Sequence, residues 1–198
     1  ALGVYEPLLS DLAQHLNITA LTMRGEWYDK PTETALTREQ DADVLIEFLQ
    51  KTQDKPVIGI GHSQGATATT IAAAKRPDLF SALYLLEPVT FTNQQGKLYS
   101  LVPRRVKMTR EPFKSTQVKQ ADWHSVDAYY QFLRRHKAYK RITDEHLLTY
   151  AKNSLEAGEQ GKLTLRFSPK QELANYFGTP LIMKPLQQLI PTTKCLCS

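Results

Sequence analysis

The spacing of apolar positions changes period along the chain, and each change marks an element. Val4, Leu8, Leu9, Leu12 and Leu16 recur at helical spacing and predict an amphipathic helix ending near Asn17. Ile18 to Met23 reads as a short strand closed by Arg24-Gly25. After a polar loop with Pro31, Thr37-Arg38-Glu39-Gln40 has the form of a capping box, and Ala42, Leu45, Phe48 and Leu49 share one face of the helix it opens. Pro56-Val57-Ile58-Gly59-Ile60-Gly61 is a nearly continuous apolar run, as expected of a strand buried on both faces. An alanine- and threonine-rich helix, Gln64 to Lys75, follows directly. Arg76-Pro77-Asp78 stops it, and Ala82-Leu83-Tyr84-Leu85-Leu86 is a second buried strand. This alternation predicts a parallel α/β sheet with flanking helices.

Beyond Pro88 the texture is different. Residues 95–175 are polar, basic and mostly helical in pattern. Ser125 is placed to cap a helix bearing Val126, Tyr129, Tyr130 and Leu133, and Thr143 one bearing Leu147, Leu148 and Ala151. Thr179-Pro180-Leu181-Ile182-Met183 returns to a strand pattern. The expected organisation is an α/β core, residues 1–94 and 176–198, interrupted by a helical cap insertion, residues 95–175. No internal repeat is evident.

Composition narrows the class. With 198 residues and 41% apolar content, the chain suffices for one core domain and a small appended lid. No apolar run is long enough to span a bilayer. Ala1-Leu2-Gly3-Val4-Tyr5-Glu6 lacks the basic start, apolar stretch and cleavage site of a secretory signal. Cys195 and Cys197 are too close for a good disulfide and too few for zinc. No cofactor or metal is expected, and two reduced thiols suit a cytoplasmic setting. The net charge of +5 is uneven. Lys97 to Arg141 holds twelve Lys/Arg against three Asp/Glu, a local +9, and the remainder carries −4. Such a stretch either faces an anionic partner or is a solvated lid surface. No nucleic-acid-binding signature accompanies it, so no nucleic-acid partner is expected.

The chemistry concentrates at Gly61-His62-Ser63-Gln64-Gly65, which lies between a buried strand and a helix. A serine hydroxyl attacks a carbonyl only when it is presented rigidly and a base takes its proton. A tight strand-to-helix turn presents the central residue in strained backbone geometry, with Gly61 and Gly65 removing side chains that would collide with the flanking chain. The free N–H of Gln64, at the helix start, points where an acyl oxyanion develops. The plainer alternative makes Ser63 a small residue in an ordinary β–α turn.

The segment Val57 through Pro88, with its elbow and Arg76-Pro77-Asp78-Leu79-Phe80, resembles the α/β-hydrolase superfamily. Met23-Arg24-Gly25 is similar to that family's strand-end Arg-Gly, with Glu26 where many members have His. The similarity covers about residues 3 to 183, with the helical insertion at the family's cap position. It implies an α/β-hydrolase fold and a serine esterase-like activity on a small acyl or ester substrate, Ser63 acting as nucleophile. A serine at the elbow argues against the branches that use a carboxylate nucleophile.

The resemblance also implies a triad in the order Ser, acid, His, yet residues 184–198 contain no His, Asp or Glu. Glu87, at the end of the strand after the nucleophile helix, is the candidate acid, since some members carry theirs there; its alternative is a merely structural strand-end residue. His124, beside Trp123, is the candidate base, while His124, His136 and His146 all also read as lid-surface residues. His62 is expected to point away from the nucleophile, and His15 lies on the first helix. The family's strand between Ile18–Met23 and Pro56–Gly61 has no counterpart, so native segments are expected before Ala1 and after Met183. Phe113, Trp123, Tyr129, Tyr130 and Phe132 either line an acyl pocket or pack the lid helices. A non-catalytic binding protein that keeps the fold and lacks the triad is the alternative function.

Overall fold

The computed structural model describes residues 2–178, Leu189 and the backbone of residues 194–196. In chain order the elements are α1 (Glu6–Ala13), α2 (Arg38–Thr52), β1 (Val57–His62), α3 (Gln64–Lys75) and β2 (Phe80–Leu86). These are followed by α4 (Asn93–Leu101), α5 (Arg104–Lys107), α6 (Phe113–Gln117), β3 (Asp122–Trp123), α7 (Val126–Arg135) and α8 (Asp144–Asn153). The last are β4 (Leu155–Ala157), β5 (Leu163–Leu165), α9 (Pro169–Phe177) and β6 (Lys194–Leu196). The chain forms two compact units, one of Ala1–Pro31 with Ser115–Glu172, the other of Thr32–Lys114 with Leu173–Ser198. Of the stretch 95–175, residues 95–114 and 173–175 fall in the second unit.

The second unit is built on a parallel sheet of order β1-β2-β6. Thr37 caps α2 as the capping-box pattern predicts, its hydroxyl accepting from Gln40 N–H at 3.3 Å while Gln40 Oε1 accepts from Thr37 N–H. Beneath the sheet runs α3, buried without a break from Ala66 to Ala73. Its small side chains permit this, and its buried hydroxyls find acceptors one turn back: Thr69 Oγ1 donates to Gly65 O at 2.9 Å and Thr70 Oγ1 to Ala66 O at 2.8 Å. Ala66, Ala73, Leu83, Leu85 and Leu189 form one cluster, and Ala42, Ile71 and Ala72 join α2 to α3 in another.

Two sequence expectations need correction here. β1 is buried on one face only: Gly59 and Gly61 are covered, whereas Ile58 and Ile60 are each 47% exposed. Among the described residues, no layer covers that second face. The expected strand at Ile18–Met23 is irregular. An extended segment is held as a strand only when a neighbour accepts its backbone hydrogen bonds, and none of the described residues does so here. The strand expected at Thr179–Met183 and the thiol of Cys197 lie outside the described residues, while Cys195 falls in β6.

In the first unit, Ser125 and Thr143 cap α7 and α8 as predicted, accepting from Ala128 N–H at 3.1 Å and His146 N–H at 3.3 Å. Beside these helices stands a small antiparallel sheet of order β3-β5-β4, which the mostly helical reading did not anticipate. Trp123, Tyr129, Leu133, Leu147, Ala151, Leu155 and Leu165 make its core. α1 ends at Ala13, ahead of Asn17, and Leu8 and Leu16 of its apolar stripe are exposed. Residues 2–31 join this unit through Lys30, paired with Glu156 at 2.9 Å, and Pro31, whose carbonyl accepts from Gln171 Nε2 at 2.9 Å.

Candidate active site

Ser63 sits where β1 ends and α3 begins, with φ 52° and ψ −120°. A residue with a Cβ held there stores about 1–3 kcal/mol of backbone strain, so its surroundings must over-determine it. They do so from both sides. Ser63 N–H donates to Leu86 O on β2 at 2.8 Å, and Ser63 O accepts from Thr67 N–H at 3.2 Å. Thr67 Oγ1 also lies 3.0 Å from Val89 O, fixing the first turn of α3 to the chain leaving β2.

The two elbow glycines are not equivalent. A Cβ on Gly61 would stand 2.5 Å from Ala66 Cα and 2.7 Å from Ala66 N, a clash with backbone that nothing flexible relieves. A Cβ on Gly65 would meet nothing within 4 Å. The close approach of β1 to α3 therefore depends on Gly61, and the steric role expected of Gly65 is corrected.

Gln64 opens α3, so its N–H is among those the helix leaves unbonded. Its side chain is held: Arg38 Nη1 donates to Gln64 Oε1 at 2.6 Å. Arg38 is 1% exposed, donates through Nη2 to Leu36 O at 2.6 Å and pairs with Asp41 at 3.0 Å. The sequence reading passed over this arginine. A signal was available, because a cation at the first position of a helix opposes the helix dipole and calls for a specific partner.

The β1–β2 register pairs His62 with Leu86. The residues that follow, Ser63 and Glu87, therefore leave the sheet side by side at the carboxyl ends of neighbouring parallel strands, where open α/β sheets bind ligands. Glu87 also has a positive φ, 46°, and is exposed. Ser63, Gln64, Glu87, Gly61, His62 and Gly65 thus belong to the second unit. His124 is an exposed residue of the first unit, directly after β3; His136 and His146 are exposed in that unit too.

The aromatic residues divide between packing roles. Trp123 and Tyr129 belong to the first unit's core, with ring centroids 4.9 Å apart, and Phe132 lies 5.0 Å from Trp123. Tyr130 donates to Asp144 Oδ1 at 2.7 Å. Phe113, in the second unit, is buried against Phe177 at 4.8 Å. Several cations of the basic stretch are likewise engaged within their own units. Arg134 pairs with Asp144 and donates to Tyr139 O and Ile142 O, while Arg104 lies over the Phe177 ring at 3.7 Å. Among the described residues, no helix is long and apolar enough to cross a membrane, and no cluster of three or more His, Cys, Asp or Glu is arranged to hold a metal.

Comparison with known proteins settles the family. The family described as alpha/beta hydrolase fold matches residues 2–177. The chain belongs to that family. A 2-(acetamidomethylene)succinate hydrolase from Mesorhizobium japonicum is 29% identical over 85 residues, which are 43% of this chain and 31% of the relative. The aligned segment thus spans about a third of that curated relative. The crystal structure of an E-2-(acetamidomethylene)succinate hydrolase superposes with a TM-score of 0.70 at 20% identity, covering 98% of this chain and 77% of the other. An α/β hydrolase from Novosphingobium aromaticivorans gives the same score and identity, covering 98% and 67%. These structures share the fold of this α/β hydrolase.

Proposed function

We propose that this α/β hydrolase is a serine hydrolase of an ester or related small acyl substrate, with Ser63 as nucleophile. The observation that carries the reading is the strained conformation of Ser63 at the junction of β1 and α3. Gln160, in an ordinary turn, has φ 54° with ψ 33°, the common left-handed pair; Ser63 joins φ 52° to ψ −120°, which an ordinary turn does not require. Ser63 Oγ attacks the substrate carbonyl, and the tetrahedral oxyanion takes a hydrogen bond from Gln64 N–H. Collapse expels the alcohol or related leaving group with a proton and leaves an acyl-serine. Water then attacks that acyl carbon, releasing the acid and restoring Ser63. Glu87, beside Ser63 at the sheet edge, is the acid of this reading, and His124 is the candidate base carried by the sequence. The name of the Mesorhizobium relative supports hydrolysis as the reaction class; a match to 43% of this chain does not carry the substrate.

The test is covalent labelling by a fluorophosphonate probe, together with turnover of a short p-nitrophenyl ester. Both are expected from the wild-type chain and neither from Ser63→Ala. His124→Ala and Glu87→Gln are expected to slow both without removing the labelled residue. Label that persists in Ser63→Ala would overturn the nucleophile assignment. A folded wild-type chain that is neither labelled nor active would favour a binding protein that keeps the elbow without the chemistry.

A further inference from the structure

We infer that Arg38 is a positioning residue for the oxyanion donor, acting through the side chain of Gln64; the inference rests on the serine-hydrolase reading above. A guanidinium 1% exposed has lost its hydration and persists only where its charge and donors are matched. Among the described residues, three different groups contact its two terminal nitrogens. Asp41, one turn along α2, supplies the counter-charge at 3.0 Å, and Leu36 O accepts from Nη2 at 2.6 Å. The third contact, Nη1 to Gln64 Oε1 at 2.6 Å, reaches across to the start of another helix.

That third contact serves Arg38 by accepting from a buried donor, and it serves Gln64 by fixing its side chain. Asp41 alone balances the charge, and Arg38 at the first position of α2 works against the helix dipole. What the placement achieves is a fixed Gln64. The planar guanidinium, oriented at two other points, holds Oε1 in one place. Gln64 is then anchored at its side chain while its backbone N–H is left to face the developing charge. The peptide bearing that N–H also joins Gln64 to strained Ser63, which favours relaxation whenever its neighbour is released. A lysine at position 38 would keep the charge but offers a point donor in place of the fork.

The experiment compares wild type, Arg38→Met, Arg38→Lys, Gln64→Met and the Arg38→Met/Gln64→Met double variant in the full chain. Two quantities are measured: the fluorophosphonate labelling rate at Ser63, and the NMR order parameter of the Gln64 backbone amide. Arg38→Met is expected to slow labelling about tenfold or more, short of the 10²–10³ lost when an oxyanion donor is removed outright. It should lower the order parameter of the Gln64 amide, with those in the body of α3 unchanged. Arg38→Lys should recover only part of either effect. The double variant should label no more slowly than the slower single variant, because both substitutions release the same side chain.

Wild-type labelling and a wild-type order parameter in Arg38→Met would overturn the inference, and so would single effects that multiply in the double variant. Should Arg38→Met fail to fold, Gln64→Met alone decides the question. It leaves Arg38 with Asp41 and Leu36, and an unchanged order parameter of its own amide would refute the positioning role. If the wild-type chain is not labelled at Ser63, the serine-hydrolase reading falls by itself. The order parameter at residue 64 then still reports whether Arg38 holds Gln64.

Discussion

The two units bury different kinds of side chain. In the first, the core is made of large interlocking groups, Trp123, Tyr129, Leu133, Leu147, Leu155 and Leu165. Under the β1–β2 sheet of the second, Leu83, Leu85 and Ile71 pack against small residues, Ala42, Ala66, Ala72 and Ala73, with Thr67 and Thr70 buried as well. The first unit is held by the volume it fills. The second is held by how closely backbones approach, and the same approach turns the chain sharply enough to leave Ser63 at φ 52°. The first unit should therefore suffer most from truncation, and the second from enlargement.

The largest expected effects test that contrast directly. Leu147 is fully buried at the centre of the first core, so Leu147→Ala should cost about 2–5 kcal/mol in urea denaturation. Gly61→Ala adds one methyl in the second unit, aimed at the backbone of Ala66, and should cost about 1–3 kcal/mol. Gly65→Ala, with open space around the new methyl, should cost well under half of that. If Gly61→Ala and Gly65→Ala were equal, close approach at the elbow would not be what holds this unit.

A smaller effect should separate the units by pH. Burial, the leading cause, holds the Tyr129, Tyr139 and Tyr150 hydroxyls of the first unit above the ordinary tyrosine value of 10.0, and neighbouring tyrosines add to it. The sign follows from linkage. These groups ionise more readily in the unfolded chain, so stability is intact below about pH 10 and declines as the pH rises toward their folded values. Alkaline titration followed by tyrosinate absorbance and circular dichroism should show the first unit's aromatic signal lost together with tyrosine ionisation. Tyr139→Phe should move that loss to higher pH. A first unit that keeps its signal while all its tyrosines ionise would contradict the burial argument.

The sequence was most legible where chemistry and backbone make narrow demands. Thr37 with Gln40, Ser125 and Thr143 announced their helix starts because a cap needs a particular acceptor at a particular place. The parallel β1–α3–β2 unit and Ser63 were readable because a buried strand meeting a helix through Gly-x-Ser-x-Gly leaves few alternatives. Arg38 was harder to see, since its partner Gln64 lies twenty-six residues away and no local pattern links them. The positive φ of Glu87 belongs to the register of β1 with β2, which the composition of neither strand states. β3, β4 and β5, of two or three residues each, are too short for an alternating pattern to emerge. Ile18–Met23 misled for a different reason: strand propensity was present, but a strand also needs a neighbour.

The smallest expected effect is the most pointed, because it reverses sign between the units. Glycine in place of Ala151, inside α8 of the first unit, should cost about 1 kcal/mol or more by loosening the unfolded chain and removing a buried methyl. At Ser63 the same entropic cost of about 0.5–1 kcal/mol is set against relief of about 1–3 kcal/mol of backbone strain held at φ 52° and ψ −120°. Ser63→Gly should therefore be as stable as the wild-type chain or slightly more so. Ser63→Ala keeps a Cβ in the strained position and gains no relief. Both variants lack the hydroxyl, so both should be inert to the fluorophosphonate probe, and thermal denaturation should rank Gly above Ala. An alanine variant at least as stable as the glycine variant would mean the strain at Ser63 does not exceed glycine's entropic cost of about 0.5–1 kcal/mol. The strongest structural argument for a presented nucleophile would then be lost.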